Sequence, residues 1–192
     1  CHNINLVTPT HVVPQILGAL ELAAAKGLSI PLVYNSGGYD SVETLALLDG
    51  IVDIYMPDMK YSDEKVARQL SGIKNYPAAN REAVKEMHRQ VGDLQIDEQG
   101  VATRGLLVRH LVLPNGLAGT AGVIQFLAEE ISRDTYLNIM VQYHPSYRAF
   151  SFPLLSRRLS KREFVEVASM AREQGLERLD GFRPAAMIKL LH

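Results

Sequence analysis

Short apolar runs alternate with longer stretches of helical period along nearly the whole chain, and each apolar run stops at proline, glycine or polar residues. The run 4–7 ends at Thr8-Pro9-Thr10, and 30–34 ends at Asn35-Ser36-Gly37-Gly38. The run 51–56 ends at Pro57-Asp58, 105–113 at Pro114-Asn115-Gly116, and 137–143 at His144-Pro145. Runs this short and this apolar are strands covered on both faces, and proline or glycine after each breaks the ladder. Between them, apolar residues recur three and four apart over 12–26, 63–70, 77–91, 118–131 and 160–175, which predicts helices there. A shorter helix is predicted over 41–48, with Ser41 as its N-cap, and Ser160 with Glu163 three residues on has the spacing of a capping box. The polar stretch 93–103 reads as a small hairpin or a loop, and 179–183 as a last short strand.

A repeated β-α pattern favours a parallel sheet covered by helices, either a barrel or a doubly wound sheet. The 192 residues, 47% hydrophobic, are expected to form one domain over 1–192 with a sizeable core. A formal net charge of -1 gives no reason to expect nucleic acid or a membrane as the main partner. No apolar run approaches the roughly 18 residues that span a bilayer. One cysteine, Cys1, excludes an internal disulfide and suggests a reducing, cytoplasmic setting. The chain opens without methionine and enters a strand almost at once, which suggests a piece of a longer protein.

In parallel α/β folds, chemistry gathers at the carboxyl ends of the strands. The residues there are Thr8, Thr10 and His11; Asn35 and Ser36; Asp58 and Lys60; Arg109 and His110; Gln142 and His144. Gathered on one rim, they would line a pocket suited to a zwitterionic or anionic small molecule. Arg109 lies inside the apolar run GLLVRHLVL, where a charge is costly unless paired or turned to a polar cavity. Alternation along a strand places Arg109 and His110 on opposite faces. The bland readings are a surface ion pair for Asp58 and Lys60, a strand cap for His144, a helix start for His11, and a simple turn for Gly37-Gly38. Arg157-Arg158 and Lys161-Arg162 read as a solvated basic face. The chain has no phosphate-binding loop, nucleophile elbow or paired-histidine zinc motif, and one cysteine cannot build a zinc or iron–sulfur site.

The segments NINLVTPTH, PLVYNSGGYDSVETL, GIVDIYMPDMKYSD, GLLVRHLVLPN and NIMVQYHP, taken in order, resemble the radical S-adenosylmethionine proteins related to pyruvate formate-lyase-activating enzyme. The resemblance covers roughly Asn3 to Pro145. It implies a partial (β/α)6 barrel in which this chain lacks the first strand and its C-x3-C-x2-C segment. It also implies a [4Fe-4S] cluster, with ligands in that absent segment, and S-adenosylmethionine cleaved reductively to a 5'-deoxyadenosyl radical. The implied partners are a glycyl radical protein as substrate and a reducing protein such as a flavodoxin or ferredoxin. By the same resemblance, Thr8 and Thr10 lie where relatives meet the methionyl amino group, and Asn35 and Ser36 match the polar end of the next strand. Asp58 would meet the ammonium or ribose, Lys60 a carboxylate or the peptide partner, Arg109 the cofactor carboxylate, and His144 the ribose or adenine. Cys1 reads as a structural residue. The rival expectations are a non-catalytic barrel module holding a nucleotide-like ligand or a protein, and a conventional barrel aldolase or hydrolase using Lys60 or Asp58.

Overall fold

A computed structural model describes residues 1–180. The order is β1 (Ile4–Val7), α1 (Val13–Ala24), β2 (Leu32–Ser36), α2 (Val42–Ala46), β3 (Ile54–Pro57), α3 (Glu64–Ser71), α4 (Tyr76–Val91), β4 (Gln95–Ile96), β5 (Ala102–Leu111), α5 (Thr120–Phe126), β6 (Tyr136–Met140), α6 (Lys161–Glu173) and β7 (Leu179–Asp180). Residues 181–183 of the last predicted strand lie outside the described residues.

Six strands pair in parallel in the order β1-β2-β3-β5-β6-β7, and the short β4 lies antiparallel beside β5. The order never reverses. Right-handed crossovers between successive neighbours put every connecting helix on the same face. The result is a singly wound, unclosed barrel, with β1 and β7 at its edges, rather than a doubly wound sheet. It is the partial parallel barrel expected from the sequence.

Alternation along the strands divides the core in two. Tyr34, Tyr55, Leu106, Val108, Leu137 and Ile139 turn to the helices and pack with Leu45, Val84, Met87 and Ile124. Val33, Ile54, Met56 and Leu107 turn to the concave side, where Leu94 and Ala102 of the β4–β5 hairpin cover them. Each fully buried aliphatic side chain in these layers contributes about 1.5–3 kcal/mol. The hairpin resolves the ambiguous stretch 93–103. Its turn is fixed by Asp97 Oδ1, which accepts from the backbone N–H groups of Gln99 and Val101, both at 2.9 Å. The hairpin closes the lower end of the concave face and leaves the end at the strand carboxyl termini open.

Local chemistry sets the helix starts. Ser41 caps α2 by accepting from Thr44 N at 3.1 Å, and Asp63 caps α3 by accepting from Val66 N at 2.9 Å. The capping box at α6 is complete: Glu163 N donates to Ser160 Oγ, and Ser160 N donates to Glu163. Glu163 also accepts from Arg157 and from Asn115 N, so one carboxylate ties α6 to the turn after β5. Those donors hold its carboxyl well below the ordinary range, with the Arg157 contact the largest cause.

Candidate functional site

At the open end of the concave face, Asn35, Asp58, Lys60 and Arg109 come together. Arg109 sits two residues before the end of β5, on the face that also carries Leu107. Its Nε donates to Asp58 Oδ1 at 2.9 Å, Nη2 lies 2.7 Å from the same oxygen, and Nη2 donates to Asn35 Oδ1 at 2.9 Å. Lys60 Nζ pairs with Asp58 Oδ2. Three strands therefore contribute to one half-buried cluster, in which a single carboxylate faces two cations. The Lys60–Asp58 pair holds less energy than its geometry suggests, because the Lys60 side chain is 44% exposed. Arg109 is 26% exposed and its guanidinium fork is only partly used: among the described residues Nη1 has no hydrogen-bond partner.

The turn beneath this cluster is clamped from α4. The Tyr76 hydroxyl accepts from Lys60 N at 3.0 Å and lies 3.0 Å from the carbonyl oxygens of both Gly37 and Asp58. Burial pushes its phenol well above the ordinary range, so it stays a neutral donor. Asn80 Nδ2 donates to Gly38 O at 2.8 Å and to Asp58 O at 3.0 Å. Gly38 has φ +70°, and a β-carbon there would stand 2.2 Å from Asp58 O and 2.3 Å from Asn80 Nδ2. Gly38 is thus more than a turn residue: the backbone of the β2 loop presses against that of the β3 loop, and this close approach sets where Asp58 sits.

Behind the sheet lies a carboxylate that the sequence reading did not single out. Asp40 is 4% exposed and accepts three hydroxyl hydrogen bonds. Thr10 donates at 2.7 Å, Tyr34 at 2.9 Å and Ser36 at 2.6 Å, while Gly38 N donates to Ser36 Oγ at 3.1 Å. Ser36 is therefore committed and buried, on the opposite side of β2 from Asn35. It is a structural link rather than a member of the rim cluster, because strand alternation turns it to the helices. Thr10 is likewise bound to Asp40. Thr8 is exposed and makes no contact with the cluster. His144 is exposed, and its Nδ1 lies 2.8 Å from the carbonyl of the next residue, Pro145; no contact joins it to Arg109 or Asp58. His11 is exposed beside the start of α1, and Gln142 is exposed past β6.

His110 is fully buried and faces away from Arg109. Its Nδ1 lies 2.6 Å from Met59 O and its Nε2 lies 2.9 Å from Thr120 Oγ1. Burial lowers its pKa, so the ring is neutral, with Nδ1–H donating to the carbonyl and Nε2 accepting from the hydroxyl. His110 locks the β3 loop to α5 and thereby braces Asp58 from behind.

The donor set suits the amino-acid end of a small molecule. A carboxylate fits the free Nη1 of Arg109 and the amide nitrogen of Asn35, while an ammonium fits Asp58. It does not suit an iron–sulfur cluster. Among the described residues no group of three or more His, Cys, Asp or Glu side chains is placed to hold a metal ion, and Cys1 is exposed. A groove of about 490 Å³ at the other end of the strands, between α1 and the entry to β3, is mostly apolar; it lacks the convergent polar groups of the rim. No helix is long and apolar enough to cross a membrane among the described residues.

No family model matches the chain. It is 31% identical over 178 residues to an uncharacterized protein of Methanocaldococcus jannaschii, an alignment that takes in 91% of this chain and 47% of that protein. The chain thus spans about half the length of the curated relative that it matches. Among solved structures, a domain of pyruvate-formate lyase-activating enzyme from Bacteroides vulgatus superposes with a TM-score of 0.65 at 13% identity, covering 93% of this chain and 98% of that domain. The chain has the fold of that activating-enzyme domain.

Proposed function

We propose that this chain is the cofactor-binding side of a radical S-adenosylmethionine enzyme of the activating type. The observation that carries this reading is the Arg109 fork, held between Asn35 and Asp58 at the open end of a partial barrel, with its Nη1 turned to no partner. Arg109 would take the cofactor carboxylate, with Asn35 as second donor. Asp58, held by the Lys60 and Arg109 cations, would accept the ammonium. When bound, S-adenosylmethionine would supply radical hydrogen-abstraction chemistry. The chain's own residues bind and orient it: Tyr76 and Asn80 fix the Asp58 backbone, and His110 keeps the loop from shifting. The ligands of a [4Fe-4S] cluster are not among the described residues. A glycyl radical protein as substrate and a small reducing protein as donor belong to this reading.

A second reading is a non-catalytic module that holds a nucleotide-like ligand, and a full-length sequence without the three cysteines would favour it. An aldolase is less well supported, because Lys60 is half exposed and ion-paired rather than set in a dry pocket. Calorimetric titration of S-adenosylmethionine into the full-length protein tests the reading. Arg109→Ala is expected to weaken binding by tenfold or more, and Arg109→Lys to restore little of it, since lysine lacks the fork. Wild-type affinity in both variants would remove Arg109 from the site.

A further inference from the structure

On the same open end of the sheet, the segment after β6 forms a surface that the rim cluster does not use. Two adjoining hollows share Gln69, Leu70 and Phe152. One, of about 420 Å³, carries the guanidiniums of Arg68 and Arg148, and neither has an acidic or hydrogen-bond partner among the described residues. Arg68 stands in the last turn of α3, where a cation is favourable; Arg148 has no such reason to be there. The other, of about 130 Å³, is apolar and includes Leu117, Leu154 and Leu155. Around them Tyr147, Phe150 and Leu154 are 88%, 62% and 55% exposed, and Tyr147 has φ +48°, a backbone region unfavourable to any residue with a β-carbon. The stretch 135–162 contains no Asp or Glu but five Lys and Arg residues. Isolated exposed apolar residues are ordinary, whereas three within eight positions beside unpaired cations form a patch.

We propose that this surface docks a partner protein through a segment in which a carboxylate stands next to a bulky aliphatic or aromatic side chain. The carboxylate meets Arg68 and Arg148, and the apolar side chain enters the hollow walled by Phe152 and Leu154. Nucleic acid fits less well, because the chain's net charge is -1 and an apolar hollow adjoins the cations. The proposal does not rest on S-adenosylmethionine binding at the rim. The surface opens at the same end of the sheet as Arg109, so a partner held here is presented beside the candidate site.

Selection of random displayed dodecapeptides on the full-length protein, followed by fluorescence anisotropy with the recovered peptides, tests this. The expected pool pairs Asp or Glu with Leu, Ile or Phe within three residues. R68E and R148E each weaken binding at least tenfold, 0.5 M sodium chloride weakens it comparably, and K26E on the far side binds as wild type. Both arginines are exposed, and unchanged far-ultraviolet circular dichroism confirms that the variants fold. Recovery of no peptide, of acid-free peptides, or of peptides indifferent to R68E and R148E overturns the proposal. So does tighter, R148-dependent binding of a single-stranded oligoribonucleotide or of anionic phosphatidylserine vesicles.

Discussion

Replacing Gly38 by alanine tests how the rim is built. The residue sits at φ +70°, where a β-carbon costs about 1–2 kcal/mol. That β-carbon would also stand 2.2 Å from Asp58 O and 2.3 Å from Asn80 Nδ2, so the two loops must separate. Separation breaks or stretches the two hydrogen bonds from Asn80 that join them, at about 1 kcal/mol each. Together the terms come to roughly 3–4 kcal/mol, and for a domain of this size each kcal/mol lowers Tm by about 2–4 °C. Gly38→Ala is therefore expected to melt roughly 6–16 °C below wild type in differential scanning calorimetry. Gly50→Ala is the control: its φ is +76°, but a β-carbon there meets nothing within 4 Å, so only the conformational cost of about 1–2 kcal/mol applies. Equal melting temperatures for the two variants would refute the close-approach argument.

Asp40→Ala leaves three hydroxyls without their shared acceptor and is expected to cost about 3–4 kcal/mol in urea denaturation; a loss below 1 kcal/mol would show that the carboxylate is not a structural hub. His110 makes stability pH-dependent. Its folded pKa is depressed by burial, so the stabilisation is complete above the unfolded value of about 6.5 and is lost as pH falls toward the folded pKa. The expected loss approaches about 1.4 kcal/mol per pH unit over that window, and by nitrogen NMR the His110 ring of the folded protein is expected to titrate below the unfolded value of about 6.5; a ring that titrates at or above that value would contradict the buried neutral tautomer. Glu163→Gln weakens the Arg157 pairing and the capping box together; a loss of about 1–2 kcal/mol is expected, and an unchanged urea midpoint would mean that the turn after β5 is held by other contacts.

Most of the architecture was legible because helical period and strand run-length report burial directly. The parallel sheet, the six helices and the capping residues Ser41 and Ser160 all follow from local pattern. Winding was not legible from the residues, because barrel and doubly wound sheets share the same β-α repeat and differ only in strand order. Alternation predicted that Arg109 and His110 would face apart, and they do. The same alternation applied to β2 separates Ser36 from Asn35, a step that polar composition at a strand end obscures. Asp40 escaped notice because GGYD reads as an ordinary loop. The signal for it lay in Tyr34 and Ser36, two polar residues on the helix-facing side of a buried strand that needed a common partner. Thr10, thirty residues away, had no local sign at all. The resemblance placed His144 near the ribose or adenine; the backbone after β6 leaves regular structure and carries it to the surface.

The most direct test uses the full-length polypeptide, reconstituted without oxygen, reduced, and examined by electron paramagnetic resonance with and without S-adenosylmethionine. A [4Fe-4S]+ signal is expected that changes on adding S-adenosylmethionine in the wild type and does not change in Arg109→Ala. A well-folded protein with no such signal, or with a signal that S-adenosylmethionine leaves untouched, would contradict the proposed function.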